Sequence, residues 1–279
     1  MQVTVQKLAD LPFYTEGPVV NRDGRCFFTT LSGGMIGTVG ENGTVEPWGN
    51  TVCPNGQVVS AEGFHLICDS QQAGIARFDP MGNFIDYLVK GQIARTTVHM
   101  PNDLILDSQQ NLYFTDSIRG DGNVFFRGID GVERLVVRGV DYANGLGLSP
   151  DERVLYIAES YQNRILAVEL SEPGVARNTS AVFVQLPQHR SGEVTRNLPD
   201  GIAVAPDGRV WVAHYGMQAI QVMDATGRLD FHIDTQLPLT SNLCFIEWSR
   251  HKQILLVTGG YDEPGPGAVM RITVTQKEH

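Results

Sequence analysis

Short apolar segments alternate with polar turns along the chain, and no stretch of ten or more residues has helical periodicity. Three units show the pattern most clearly, each running from a polar residue through an apolar strand and a turn into a second apolar strand. Their first strands cover residues 102–107, 144–149 and 200–205. Turn signals such as Asp207-Gly208 separate the strands. The pattern predicts an all-β protein built from a repeat.

The repeat predicts a six-bladed β-propeller. Weaker copies begin at Glu16, Asn55 and Asn242, which makes six units roughly 40 to 55 residues apart, the length of a four-stranded blade. We expect one propeller domain over residues 1–279, in which residues 3–5 add an outer strand to the last blade and remove a sheet edge. A β-sandwich or a two-domain β protein is the alternative, and six copies at one spacing disfavour it.

The position before each first strand carries an acid or an amide in all six units. These residues are Glu16, Asn55, Asn102, Asn144, Asp200 and Asn242. Because the first strand of every blade lines the central channel of a propeller, equivalent positions form a ring about the axis. Local turn preference is a competing explanation, since Asn and Asp side chains hydrogen-bond nearby backbone.

Turn preference explains Glu16 poorly, because glutamate is not a turn former. Two carboxylates near one axis also need a cation to compensate their charge. The ring therefore predicts a site for one divalent metal ion. Its carboxylate and amide oxygens suit Ca²⁺, Mg²⁺ or Mn²⁺, whereas zinc or copper would favour thiolates or several imidazoles.

Composition and charge exclude several classes of function. The chain has a net charge of −10 and a pI of about 5.1, which argues against binding to nucleic acid or to anionic membranes. The first ten residues lack the apolar core of a signal peptide, and no apolar run approaches the length of a membrane helix. The four cysteines are scattered without a CxxC spacing. We therefore expect a cytoplasmic protein with reduced thiols.

Four motifs occur in order over nearly the whole chain: Glu16-Gly17-Pro18, Pro101-Asn102-Asp103, Asn144-Gly145-Leu146 and Pro199-Asp200-Gly201. Together they resemble the family of gluconolactonase, regucalcin (senescence marker protein) and luciferin-regenerating enzyme. The resemblance implies a propeller whose metal ligands are Glu16, Asn144 and Asp200, with Asn102 facing the substrate or a metal-bound water. It implies Ca²⁺ first, with Zn²⁺, Mn²⁺, Mg²⁺ or Fe²⁺ as alternatives.

The resemblance also implies hydrolysis of a small-molecule lactone or related ester, in which the ion polarises the carbonyl. Asp200 is the expected general base. Asp103, next to Asn102 at the same channel mouth, is a second candidate whose other interpretation is a buried turn carboxylate.

Four further residues are expected to contact the substrate. Tyr14 lies two residues before Glu16, although it also fits a packed aromatic under the first blade. His99 and Met100 stand near the position where animal members of the family carry an arginine. His214 ends a second strand and fits either a proton shuttle or a structural hydrogen-bonding residue.

Two other functions fit the same chain. The metal site would also suit a hydrolase of organophosphates or other esters, or an enzyme of a biosynthetic pathway. A non-catalytic propeller would hold the metal for structure and bind a partner on its face. Open coordination positions favour an enzyme. The polar interruption at residues 171–197 is expected to be a solvated loop or a substrate lid.

Overall fold

The alternation of apolar strands and polar turns builds six antiparallel sheets, and we describe them in a computed structural model that covers residues 1–276. β1 (Gln2–Leu11) belongs to the sixth blade. The first blade contains β2 (Thr15–Val20), β3 (Cys26–Thr30), β4 (Met35–Val39) and β5 (Val45–Asn50). The second contains β6 (Pro54–Val59), β7 (His65–Asp69), β8 (Gly74–Phe78) and β9 (Phe84–Lys90), with short β10 (Gln92–Ile93) and β11 (Thr96–Thr97) at its edge.

The remaining blades repeat this meander. The third contains β12 (Pro101–Leu106), β13 (Leu112–Asp116), β14 (Gly122–Arg127) and β15 (Glu133–Val140). The fourth contains β16 (Ala143–Leu148), β17 (Val154–Glu159), β18 (Arg164–Glu172), β19 (Val175–Ala176) and β20 (Ala181–Gln185). The fifth contains β21 (Leu198–Val204), β22 (Val210–Tyr215), β23 (Ala219–Met223) and β24 (Leu229–Asp234). The sixth contains β25 (Leu239–Trp248), β26 (Lys252–Gly260) and β27 (Gly267–Thr275).

The six inner strands contact one another in chain order, and the last of them, β25, contacts the first, β2. This closed ring is the predicted six-bladed propeller. Among residues 1–276 the helical elements are single 3₁₀ turns at Ser70–Gln72, Ser160–Gln162 and Val194–Arg196, and none could cross a membrane.

The two ends of the chain meet in the sixth blade. β1 lies at its outer edge and pairs antiparallel with β27, from Gln2 opposite Thr275 to Leu11 opposite Gly267. The predicted domain end at residue 279 lies outside the described residues. The interruption at 171–197 is more ordered than a loop, because it contains β19 and the outer strand β20.

The core lies between blades, where the apolar faces of neighbouring sheets pack together. Trp211 of the fifth blade and Leu255 and Ile272 of the sixth are fully buried in one such cluster. Half-buried Val3 and Val5 of β1 pack against the same cluster. The N-terminal strand therefore contributes apolar contacts as well as hydrogen bonds to the closure.

We expect Ile272→Ala to lower the free energy of unfolding by about 2–5 kcal/mol, because it leaves a cavity in this cluster. Thr273→Ala is the matched control, since Thr273 is adjacent on β27 and lies on its less buried face. Urea unfolding of both variants measures the difference. Equal, small losses would contradict the packing of β27 between the blades.

Candidate active site at one end of the central channel

Each inner strand changes register at or next to its ring residue. In blades two to five, two inner-strand residues lie opposite one residue of the second strand, at 55–56, 102–103, 144–145 and 200–201. β2 and β25 change register at neighbouring positions. Such a bulge bends the strand and redirects a side chain. The repeated bulge therefore explains how the ring side chains come to line one end of the channel.

Glycine follows several ring residues because neighbouring inner strands touch there. A Cβ on Gly145 would clash with the carbonyl oxygen of Asp200, and a Cβ on Gly201 would clash with the Asn242 side chain. The third blade has Asp103 at the equivalent position. Its carboxylate is accommodated because Gly56 faces it, and a Cβ there would clash with Asp103 Oδ1.

The beginnings of the inner strands surround a cavity of about 320 Å³, here called the ring cavity. Five ring residues line it, namely Glu16, Asn55, Asn102, Asn144 and Asp200. Four tyrosines and an acid complete much of the wall, namely Tyr14, Tyr142, Tyr161, Tyr215 and Glu263. The ends of the same strands surround a second cavity of about 500 Å³, here called the opposite cavity, whose wall is largely aliphatic.

Two buried carboxylates dominate the electrostatics of the ring cavity. Glu16 Oε2 accepts hydrogen bonds from the Gly17 amide (2.9 Å) and from Asn242 Nδ2 (3.3 Å). Burial, with the nearby charge of Asp103 adding to it, raises the pKa of Glu16 to about 8. Burial and then the charge of Glu16 raise the pKa of Asp200 well above its usual value. Both carboxylates therefore resist ionisation unless a cation compensates them.

The oxygen donors of the ring cavity fit a hard divalent ion. Asn144 Oδ1 and Asn55 Oδ1 are buried and have no hydrogen-bond partner, which leaves their lone pairs available. Glu16 and Asp200 add carboxylate oxygens from the same wall. Among residues 1–276, no group of three His, Cys, Asp or Glu residues is arranged to hold a metal. An ion in this cavity would therefore need amide as well as carboxylate ligands.

Six of the residues predicted from the sequence meet in the ring cavity, namely Tyr14, Glu16, Asn55, Asn102, Asn144 and Asp200, whereas the predicted ring residue Asn242 lines the opposite cavity. Tyr14 is almost fully buried, and its hydroxyl donates a hydrogen bond to the carbonyl oxygen of Leu239 (3.4 Å). It is therefore a buried residue that also forms part of the cavity wall, and its contact with a substrate stays a prediction.

Asp103 lies at the other end of the channel from its predicted place. It lines the opposite cavity, where its Oδ1 accepts a hydrogen bond from the Leu104 amide (2.9 Å). Burial raises its pKa to about 7. The physical reason is the bulge, since Asn102 lines the ring cavity and the next residue, Asp103, lines the opposite cavity.

His99 and Met100 do not line the ring cavity. They belong to the segment that leads into β12, and their backbone amides donate hydrogen bonds to Asp116 Oδ1 (3.0 and 2.6 Å). Asp69 and Glu159 accept backbone hydrogen bonds in the same way in their blades. These acids at the ends of second strands fix the chain as it approaches the axis.

His214 occupies the equivalent position in the fifth blade, opposite Pro199, and is fully buried away from the ring cavity. Its Nε2 donates a hydrogen bond to Asn163 Oδ1 (3.0 Å), and its Nδ1 accepts one from Gln221 Nε2 (3.4 Å). Burial lowers its pKa to about 3, so the imidazole stays neutral. Its contacts give it a structural role in place of the predicted substrate contact.

We expect His214→Ala to lower the free energy of unfolding by about 1–3 kcal/mol, because Asn163 and Gln221 lose a buried partner. Turnover of the folded variant should change by less than about threefold. Chemical denaturation and steady-state kinetics at a temperature below its unfolding transition measure the two effects. A much larger loss of turnover in the folded variant would mean that His214 takes part in substrate binding or in the reaction.

Sequence reasoning missed Tyr142, Tyr161, Tyr215 and Glu263. The repeat contains a signal for the first of these, since Tyr142 precedes Asn144 by two residues as Tyr14 precedes Glu16. Tyr215 is the last residue of β22, and Tyr161 follows the end of β17, where the chain turns towards the third strand of its blade. Glu263 lies in the loop between β26 and β27, the second and third strands of the sixth blade, and this loop is longer than the corresponding loops of the other blades.

The comparisons with known proteins agree with this fold. A model of the SMP-30/gluconolactonase/LRE-like region matches residues 14–259. A lactonase drp35 from Staphylococcus haemolyticus is 25% identical over 237 residues, which cover 79% of this chain and 69% of that protein. A lactonase drp35 from Staphylococcus epidermidis is 25% identical over 287 residues, which cover 96% of this chain and 85% of that protein.

Solved structures show the same architecture. A gluconolactonase from Xanthomonas campestris superposes with a TM-score of 0.81 at 26% identity, covering 97% of this chain and 89% of that chain. A calcium-binding regucalcin from Agrobacterium tumefaciens superposes with a TM-score of 0.77 at 18% identity, covering 98% and 95% of the two chains, and supports the fold alone. Because the family match extends over most of its length, this chain belongs to the SMP-30/gluconolactonase/LRE-like family.

Proposed function

We propose that this protein is a divalent-metal-dependent hydrolase that opens a lactone or a related ester. The observation that carries the proposal is the meeting of Glu16, Asn144 and Asp200 in one cavity, where Asn144 Oδ1 is buried without a partner. The named activities of the similar lactonases and gluconolactonase support a lactone as the substrate class.

Glu16, Asn144 and Asp200 would hold the ion, with Ca²⁺ as the first candidate and Zn²⁺, Mn²⁺, Mg²⁺ or Fe²⁺ as alternatives. When bound, the ion supplies positive charge that polarises the ester carbonyl and stabilises the negative charge developing on its oxygen.

Asp200 is the general base in this proposal. It lines the ring cavity, whereas Asp103 lines the opposite cavity and is separated from the substrate. An ion that compensates the buried charge would keep the Asp200 carboxyl ionised, so that it could accept the proton of the attacking water. Asn102 lines the same wall, where its amide can donate a hydrogen bond that orients the substrate.

Four cysteines that form no disulfide support a reducing compartment such as the cytoplasm.

The size of the ring cavity, about 320 Å³, suits a small-molecule substrate.

The direct test is a hydrolysis panel of aldonolactones, aryl lactones and phosphotriesters, run with chelated protein and after each divalent ion is restored. We expect lactone opening that disappears on chelation and returns with one or more ions. Turnover of phosphotriesters alone would favour the organophosphate alternative. Metal binding without turnover of any ester would favour a non-catalytic propeller.

A further inference from the structure

The ring cavity has a one-sided charge. Three carboxylates line it, those of Glu16, Asp200 and Glu263, and no Lys, Arg or His of residues 1–276 does so. A divalent ion bound there would neutralise two of the three charges and leave the cavity negative. Negative potential in a confined site attracts cations and repels anions such as carboxylates and phosphates.

Aromatic faces reinforce this preference. The Tyr14 and Tyr215 rings lie with their centroids 6.3 Å apart at 56°, and the Tyr142 and Tyr161 rings lie 5.5 Å apart at 69°. All four tyrosines line the cavity. The face of a tyrosine ring carries negative charge density and attracts an ammonium group.

The Tyr161 ring is held by a residue that lies outside the cavity. The Arg119 guanidinium stacks 3.5 Å from the centroid of Tyr161, and Arg119 Nε is in turn paired with Asp141 Oδ1 (2.8 Å). The Arg119 side chain is 58% exposed and does not line the cavity. It therefore orients the ring without placing a positive charge where a substrate would bind.

Glu263 is fixed at the entrance. Its Oε2 accepts a hydrogen bond from the Tyr215 hydroxyl (3.1 Å), and the carbonyl oxygen of the next residue, Pro264, accepts one from the Tyr14 amide (2.8 Å). Glu263 is exposed, whereas Glu16 and Asp200 are deeply buried. An incoming molecule would thus meet the Glu263 carboxylate and the tyrosines before it reaches the ring residues.

We propose that the ring cavity selects lactones or esters carrying a positively charged group, and that Glu263, with the Tyr14–Tyr215 pair, determines this specificity. The turnover part of the proposal rests on the hydrolase function proposed above, whereas cation binding does not. The group recognised is an ammonium, as in an amino-substituted lactone.

The turnover test compares three γ-lactones of similar size in the metal-loaded protein. They carry a protonated amine (α-amino-γ-butyrolactone), a hydroxyl (α-hydroxy-γ-butyrolactone) or a carboxylate (γ-carboxy-γ-butyrolactone). We expect kcat/KM for the amine to exceed that for the hydroxyl compound by about tenfold, with the carboxylate poorest. In Glu263→Gln the amine-to-hydroxyl ratio should fall by about fivefold or more. Glu62→Gln, which removes an exposed charge that does not line the cavity, should keep the ratio.

A binding test separates this inference from the hydrolase proposal. Calorimetric titration with tetramethylammonium chloride, against sodium chloride at equal ionic strength, should show binding to the wild type that weakens at least about fivefold in Glu263→Gln. If tetramethylammonium binds in this way but no lactone is opened, only the hydrolase proposal fails. If lactones are opened without charge preference, and Glu263→Gln changes neither the ratio nor cation binding, only the present inference fails.

Discussion

Asp200→Asn is expected to abolish ester hydrolysis while the propeller stays folded. The change removes a carboxylate that we assign both as a ligand of the ion and as the acceptor of the proton from water. Loss of about 4 kcal/mol of transition-state stabilisation lowers kcat/KM about 10³-fold. Metal content after gel filtration should fall in parallel. In the metal-free state the variant should be at least as stable as the wild type, because it lacks a carboxyl whose ionisation is opposed by burial and then by the charge of Glu16.

Asp103→Asn is the matched control for this experiment. Asp103 and Asp200 are both aspartates of inner strands, 7% and 8% exposed, but they line opposite ends of the channel. The control should retain its metal and keep turnover within about tenfold of the wild type. If Asp103→Asn abolished turnover while Asp200→Asn kept both turnover and metal, Asp103 and not Asp200 would be the general base.

The ring residues could be predicted from the sequence because the repeated units of a propeller surround one axis, so that equivalent positions lie close together. One position in each unit was enough to bring Glu16, Asn102, Asn144 and Asp200 to one cavity. The prediction needed only the order of the strands and no side-chain geometry. Tyr142 was open to the same reasoning, since its place in the fourth unit matches that of Tyr14 in the first.

Three kinds of information were not present in the repeat. The direction of Asp103 depends on a bulge, and the sequence does not show which of two successive polar residues faces which end of the channel. The role of His214 depends on Asn163 and Gln221, which lie on other strands or turns and become partners only in the folded blade. Glu263 comes from the loop between β26 and β27, whose length differs from that of the equivalent loops, so its place at the cavity depends on tertiary contacts.

The second large effect concerns the stability of the metal-free protein, which should fall as the pH rises above neutrality. The pKa of Glu16 rises from 4.5 to about 8 on folding, so the native state binds more protons than the unfolded state between these values. Stability is then greatest below the unfolded pKa and is lost as the pH approaches 8, by up to about 5 kcal/mol over the whole window. The raised pKa of Asp200 acts in the same direction.

The buried histidines act in the opposite direction and only at lower pH. The pKa values of His65 and His214 are lowered to about 4 and about 3 by burial, so their protonation destabilises the fold as the pH falls below about 6.5. Urea unfolding of chelated protein between pH 7 and pH 8.5 therefore isolates the carboxylates. There the free energy of unfolding should decrease with a slope of up to about 1.4 kcal/mol per pH unit for each carboxyl still protonated.

A divalent ion should remove this slope, because it takes the place of the protons that otherwise neutralise Glu16 and Asp200. Saturating Ca²⁺ should raise the stability more at pH 8.5 than at pH 7, and Glu16→Gln should flatten the profile of the chelated protein. Glu62→Gln serves as the control, since Glu62 does not line the cavity and its variant should keep the wild-type slope. A chelated wild type whose stability is flat or rises over this range would contradict the raised pKa values. A slope that Ca²⁺ leaves unchanged would mean that the ion does not bind at these carboxylates.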